Sequence, residues 1–170
     1  MDVHTVYLLR HAKSDWSDQT LPDHARPLAP RGRRDATRIT SHLRQRGIEP
    51  TLVLCSSAER TRETLEFIRP ALGAAPALIE DELYAATKEE LLERLRALPE
   101  QSASVLVIGH NPGLEELALM LATPSRTRRR LEAKFPTAAL ATLAVPEAKW
   151  ARLAAGDADL TSFVVAKQLR

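Results

Sequence analysis

Val6-Tyr7-Leu8-Leu9-Arg10-His11-Ala12-Lys13-Ser14 decides the fold of this chain. An apolar run with β-formers breaks at an Arg-His pair and continues into small and polar residues. A buried strand that ends this way delivers a cation and an imidazole to the C-terminal edge of a sheet. In open α/β folds that edge is where ligands bind. The working expectation is that His11 is a nucleophile and that Arg10 holds an anion beside it. More positive charge must then come from elsewhere in the chain.

Working outward, 170 residues are enough for one domain with a real core. With 44% hydrophobic and 27% charged residues the chain reads as globular and soluble, and neither disordered nor fibrous. A net charge of +2 is too small to argue for nucleic acid as a partner. One cysteine, Cys55, excludes an internal disulfide framework and fits a reducing compartment. There is no signal-like N-terminus at Met1–Thr5 and no run of membrane-spanning length, so a cytoplasmic protein without membrane contact is expected. Nothing in the sequence sets an oligomeric state.

Along the chain, Ser14 to Pro30 reads as a polar loop carrying Trp16, Asp18, Asp23 and three prolines. A loop that long inside a domain is usually functional or disordered. A helix is predicted from Arg31 to Arg46, with Gly47 as its stop. Leu52–Cys55 reads as a short buried strand and Ala58–Ile68 as a helix, followed by a strand near Ala77–Ile79. Thr87-Lys88-Glu89-Glu90 is a capping box that opens a helix ending at Pro99. Ser104–Gly109 is apolar without alternation, so a central strand covered on both faces is expected. Asn111 is placed as the N-cap and Pro112 as the first residue of a helix to Leu121. Pro124–Arg130 reads as a basic, solvated loop. A strand over Ala138–Val145, a short helix around 148–153 and an edge strand near Ser162–Ala166 complete the pattern. Strands alternating with helices predict a single-domain, three-layer α/β/α sandwich with a mainly parallel sheet.

Two strands end in a histidine just beyond their apolar runs, at His11 and at His110. The strand ending at Cys55 leads to Glu59-Arg60-Thr61-Arg62, so Arg60 or Arg62 can point over the same edge. Two imidazoles, at least two guanidiniums and helix N-termini around one pocket suit a phosphoryl group, whose oxygens match planar forks and N–H donors.

These residues carry a resemblance. Leu9-Arg10-His11-Ala12, Ser56-Ser57-Ala58-Glu59-Arg60-Thr61-Arg62-Glu63-Thr64 and Gly109-His110-Asn111-Pro112 resemble the histidine phosphatase superfamily, the phosphoglycerate-mutase-like enzymes. Arg10-His11-Ala12-Lys13-Ser14, Arg26-Pro27-Leu28 with Gly32, and Phe135-Pro136-Thr137-Ala138-Ala139 are similar to the short SixA-like phosphohistidine phosphatases. The resemblance implies a phosphoglycerate-mutase-like fold, no cofactor, and His11 as the group that takes the phosphoryl moiety. It implies that Arg10, Arg60 and His110 bind the oxygens, that Arg26 reaches the phosphate, and that Asn111 belongs with the phosphate-binding set. Ser17 stands where larger relatives often carry a phosphate-contacting asparagine. The implied substrate is a phosphohistidine-bearing protein, with small phosphorylated metabolites or nucleotides as the alternative.

Larger members place a carboxylate after the third strand to protonate an oxygen leaving group. The matching neighbourhood here is Glu80-Asp81-Glu82-Leu83-Tyr84, with Tyr84 in the acid's register and Asp81 or Glu82 able to swing in. A weak acid position disfavours alkoxide leaving groups and tolerates a phosphoramidate. The segment before the next helix is too short for a lid, and a mutase's enclosing insertions have no room. A cysteine-phosphatase loop, Cys-x5-Arg, fails on count because Thr61 stands six residues after Cys55. His4, His24 and His42 lack metal-ligand spacing, so no metal is expected. Two further readings stay open: a phosphoprotein-binding module without turnover, and steering of an acidic phosphoprotein by Arg126, Arg128, Arg129 and Arg130.

Overall fold

The first strand forms where expected. In the computed structural model, which describes residues 3–146 and 149–169, β1 spans Val3–Arg10. Then follow α1 (Pro30–Arg46), β2 (Leu52–Ser56), α2 (Glu59–Ile68), β3 (Ala77–Glu80), α3 (Lys88–Arg96) and β4 (Ser104–Gly109). The chain continues through α4 (Gly113–Leu121), α5 (Arg126–Ala133), β5 (Ala139–Pro146) and β6 (Asp159–Val165). The six strands make one sheet in the order β3-β2-β4-β1-β5-β6. No helix among the described residues is long and apolar enough to cross a membrane.

The continuous apolar runs Val6–Leu9 in β1, Leu52–Cys55 in β2 and Val105–Ile108 in β4 follow from covering on both faces. Val6, Leu8, Leu54, Val105 and Val107 pack into one core cluster with Leu91, Leu95, Leu114 and Leu117 of α3 and α4. Leu9, Val53, Cys55, Leu106 and Ile108 point the other way, against Ile39 and Leu43 of α1 and Leu65 and Ile68 of α2. Alternate residues of one strand therefore serve two cores, the period of two expected of a pleated strand. The three-layer expectation holds. Gly47 closes α1 in the left-handed region at φ 62°, and Thr87 caps α3 by accepting from the Glu90 N–H.

Four strands, β3, β2, β4 and β1, run parallel, whereas β5 pairs antiparallel with both β1 and β6. The reversal has a source that the sequence reading missed. Pro124–Arg130 was expected as a solvated loop, but Arg126–Ala133 is helix α5, capped by Ser125, whose side chain accepts from the Arg128 N–H. Eight residues at 1.5 Å each carry the chain about 12 Å back towards the edge it left. Two helices instead of one thus deliver the next strand to the opposite end. Arg128 is not free in solvent: its guanidinium donates to the carbonyls of Leu119 and Ala122 at the end of α4.

Two smaller corrections follow. Asn111 is not a helix cap; α4 begins at Gly113, and the Asn111 amide donates to the Phe135 carbonyl at 2.8 Å. The short helix expected around 148–153 is a 3-10 turn over Trp150–Arg152, with Ala148 outside the described residues. The edge position of the last strand, β6, is as expected.

Candidate active site

Strand register builds the site. β1 pairs with β4 so that Arg10 stands opposite Gly109, and β2 pairs with β4 so that Cys55 stands opposite Ile108. The residues just past these pairs, His11 and His110, leave the sheet side by side, with ring centroids 5.2 Å apart. α2 starts three residues after β2, and its helical period turns Arg60, Thr61 and Thr64 inward while Arg62 faces solvent. Of the two arginines the sequence left open, Arg60 is the one at the site.

Glycine enforces the close approach of α1 to this edge. A Cβ on Gly32 would lie 2.1 Å from the Lys13 carbonyl oxygen, so only glycine lets α1 pack against the turn after His11. That turn is also held by the Ala29 N–H donating to Lys13 O and by the Ala12 N–H donating to the Thr64 hydroxyl. The long segment from Ser14 to Pro30 is ordered, folding back through a bridge between Ser14 and Leu28. In doing so it brings Asp23 and Arg26 to the edge.

His11 is buried, and its Nδ1 lies 2.7 Å from the Ala12 carbonyl. A carbonyl can only accept, so Nδ1 carries the proton and Nε2 keeps a lone pair. Arg60 Nε lies 3.4 Å from that Nε2. Burial, and beyond it the charges of Arg60 and Arg10 and the neighbouring His110, push the imidazole down to about 3, so it is neutral at ordinary pH. His110 is pushed down to about 4, by burial first and then by Arg60. Its Nε2 lies 2.8 Å from the Ser56 hydroxyl, and its Nδ1 faces Arg60 Nη2 at 3.4 Å.

Asp23 is the residue that the sequence reading did not single out. Its carboxylate accepts from Arg26 Nη2 at 2.8 Å, from Arg60 Nη2 at 3.0 Å and from the Tyr84 hydroxyl. The Tyr84 hydrogen bond and then Arg26 hold it well below the usual carboxylate range. Its backbone carbonyl accepts from Arg60 Nη1 as well. The only signal in the sequence was the three-residue spacing in Asp23-His24-Ala25-Arg26, one turn of helix. Arg26 is further fixed by Ser14, which accepts from its Nη1 at 2.7 Å, and by Trp16, whose ring centroid lies 3.4 Å from the guanidinium carbon.

Arg10 donates from Nη1 to the Phe135 carbonyl, while its buried Nε has no hydrogen-bond partner among the described residues. Phe135-Pro136-Thr137-Ala138 reaches this edge because β5 starts here: the Ala138 N–H donates to the carbonyls of Arg10 and His11. The result is a cavity of about 330 Å³ lined by Arg10, His11, Arg26, Arg60, His110 and Asn111, with Lys13, Ser14, Trp16, Asp23 and Thr137. Three residues from the expected set lie elsewhere. Ser17 is exposed, its N–H donating to Asp15, and Asp81 and Glu82 are exposed outside the cavity wall. Tyr84 does not line the cavity and meets the site through Asp23, the edge of the His110 ring and the Arg60 guanidinium, which lies 5.9 Å from its ring centroid. Among the described residues, no group of three or more His, Cys, Asp or Glu is placed to hold a metal ion.

The model of the histidine phosphatase superfamily (branch 1) matches residues 6–86. An uncharacterised protein of Mycobacterium tuberculosis is 38% identical over 161 residues, covering 92% of this chain and 99% of its own. A candidate phosphohistidine phosphatase SixA from Nakamurella multipartitia superposes with a TM-score of 0.83 at 32% identity, covering 96% of each chain. The chain belongs to the histidine phosphatase superfamily. A structure of the protein histidine phosphatase SixA complexed with tungstate is also similar, with a TM-score of 0.80 and 26% identity over 98% of this chain and 99% of that one. The superfamily match ends before His110 and Asn111, so their place at the site rests on the strand register described above. The phosphoglycerate-mutase-like architecture expected of this superfamily is the one observed.

Proposed function

We propose that this histidine phosphatase hydrolyses phosphohistidine on protein substrates through a covalent intermediate on His11. One observation carries the reading. The Nδ1–H of His11 is committed to the Ala12 carbonyl at 2.7 Å, which leaves a neutral Nε2 lone pair beside Arg60 in the cavity. In the first step Nε2 attacks phosphorus, the substrate's P–N bond breaks, and the departing imidazole nitrogen takes a proton from solvent. In the second step water attacks the same phosphorus, the Nε2–P bond breaks, phosphate leaves and water's proton passes to solvent. Arg10, Arg26 and Arg60 neutralise the phosphoryl oxygens, so orientation and charge supply most of the acceleration. A bound dianion favours the protonated form of His110, which then becomes a donor to it. Asn111 contributes through Phe135, whose carbonyl it shares with Arg10.

The nature of the acid supports phosphohistidine over phosphomonoesters. Asp81 and Glu82 do not line the cavity, and Asp23 is held ionised by Tyr84 and two arginines. The Tyr84 hydroxyl is pushed up by its bond to Asp23, so it keeps its proton. An alkoxide would leave without help, whereas a phosphoramidate's imidazole departs readily. The deciding experiment compares hydrolysis of a phosphohistidine protein with a phosphomonoester panel, with and without chelator and with His11→Ala as the blank. We expect a rate on phosphohistidine that chelator leaves unchanged and His11→Ala abolishes. A wild-type rate in His11→Ala would overturn the mechanism. Faster phosphomonoester turnover would transfer the substrate assignment to small metabolites, and phosphate bound without turnover would leave a binding module.

A further inference from the structure

The His11 cavity is not closed at its Arg10 wall. It shares Arg10, Lys13 and Thr137 with a second cavity of about 230 Å³. That second cavity shares Lys134, Pro136, Val165 and Lys167 with a third of about 270 Å³, which ends at Arg130 and Phe163. Through these shared walls the three cavities adjoin one another, forming a trough of successive hollows from the phosphoryl site past the start of β5 to the end of β6. Four cations, Lys13, Arg31, Lys134 and Lys167, line its middle.

None of the four takes part in an ion pair among the described residues. The one acid in that wall, Asp35, is buried and paired with Arg38 at 3.1 Å. Uncompensated like charges around one cleft repel one another and focus a positive potential along it. An anionic occupant relieves that repulsion. The trough also runs on well beyond the phosphoryl site, past a separate lysine cluster and on to an aromatic end. A single phosphoryl group has no use for that length. A polypeptide that places a phosphohistidine over His11 extends beyond the cavity, and the side carrying Lys13, Arg31, Lys134 and Lys167 offers its acidic residues cations, whereas the opposite side at Trp16, Asp18 and Asp23 offers carboxylates.

We infer that the trough binds an acidic segment flanking the phosphohistidine of a protein substrate. The inference rests on the phosphohistidine reading above. Acidic side chains of the segment meet Lys13, Arg31, Lys134 and Lys167, and the pairing raises affinity and encounter rate without touching the chemical step.

The test uses two synthetic phosphohistidine peptides, one with four flanking glutamates and one with glutamines in their place, and the double variant Lys134→Glu/Lys167→Glu. At low salt, wild type should show a KM for the glutamate peptide lower by roughly three- to tenfold, as expected for a few exposed ion pairs. The variant should lose or invert that preference. Both proteins should hydrolyse phosphoramidate at equal rates. Equal KM values for the two peptides in wild type, or a preference unchanged in the variant, would overturn the inference. Anisotropy binding of the same labelled peptides to His11→Ala reads the groove without turnover, so the groove is judged even if phosphohistidine is not hydrolysed. In that assay, an oligonucleotide that binds more tightly than the glutamate peptide would reassign the trough to nucleic acid.

Discussion

Acidification should destabilise this protein through the two buried histidines of its cavity. His11 and His110 are pushed to about 3 and about 4, against 6.5 for a free imidazole. Between 6.5 and those values the unfolded chain takes up protons that the folded chain refuses. Stability is therefore fully present above pH 6.5 and is lost as the pH falls towards the folded values. At pH 5 the unfolded imidazoles are almost wholly protonated and the folded ones almost wholly neutral. The loss relative to pH 8 is then about 2 kcal/mol for each ring, or about 4 kcal/mol together. That is a large part of the 5–15 kcal/mol that typically holds a domain. The assay is urea unfolding followed by far-UV circular dichroism at pH 8, 7, 6 and 5, on wild type and on His11→Ala. His42, which burial also pushes down, contributes equally to both proteins and cancels in the comparison. The cavity left by His11→Ala offsets the curve, and by relieving the burial of the adjacent His110 ring it lessens that ring's own loss, which widens the difference from wild type. Wild type should lose at least about 2 kcal/mol more than His11→Ala between pH 8 and pH 5. Parallel curves would refute the picture of His11 as a buried, neutral ring.

Other substitutions read other parts of the site. Asp23→Asn keeps a single acceptor where a carboxylate now serves Arg26, Arg60 and Tyr84, so kcat should fall roughly tenfold; the melting temperature should move little because the side chain is 49% exposed, and an unchanged kcat would count against the role assigned to Asp23. Gly32→Ala must push α1 away from the Lys13 carbonyl, at a cost of about 1–3 kcal/mol in urea unfolding together with a lower kcat. Cys55 is buried, and that burial pushes its thiol up to about 12. Cys55→Ser should therefore stay active and the native thiol should resist iodoacetamide; labelling at the rate of a free thiol would contradict its placement.

Much of the site was legible because its residues sit at positions that local pattern already marks. His11 and His110 follow apolar runs directly, and parallel pairing of β1 and β4 needs nothing more to bring them together. Arg60 was legible to within one turn, and helical phase against β2 settled it over Arg62. What escaped were residues whose role depends on a partner far along the chain. Asp23 reads as a loop acid until Arg60 and Tyr84, 37 and 61 residues away, converge on it. Asp81, Glu82 and Ser17 read as candidates by register alone, and the fold turns them outward. α5 escaped because arginines are as acceptable in a solvated loop as in a helix. The burial of Leu131, the bonds from Arg128 to the end of α4 and the Ser125 cap distinguish the two.

By itself, then, the sequence determined the alternation of strands and helices, the two-sided core and the order in which histidine and arginine arrive at one sheet edge. These are properties of hydrophobic period and chain connectivity, which are local. Tertiary structure alone decided the antiparallel run of β5, the tautomer and neutral charge of His11, the clamp that Asp23 places on two arginines, and the basic trough beyond Arg10. Each of these arises from groups distant in sequence sharing one desolvated space, where burial and neighbouring charge set their state.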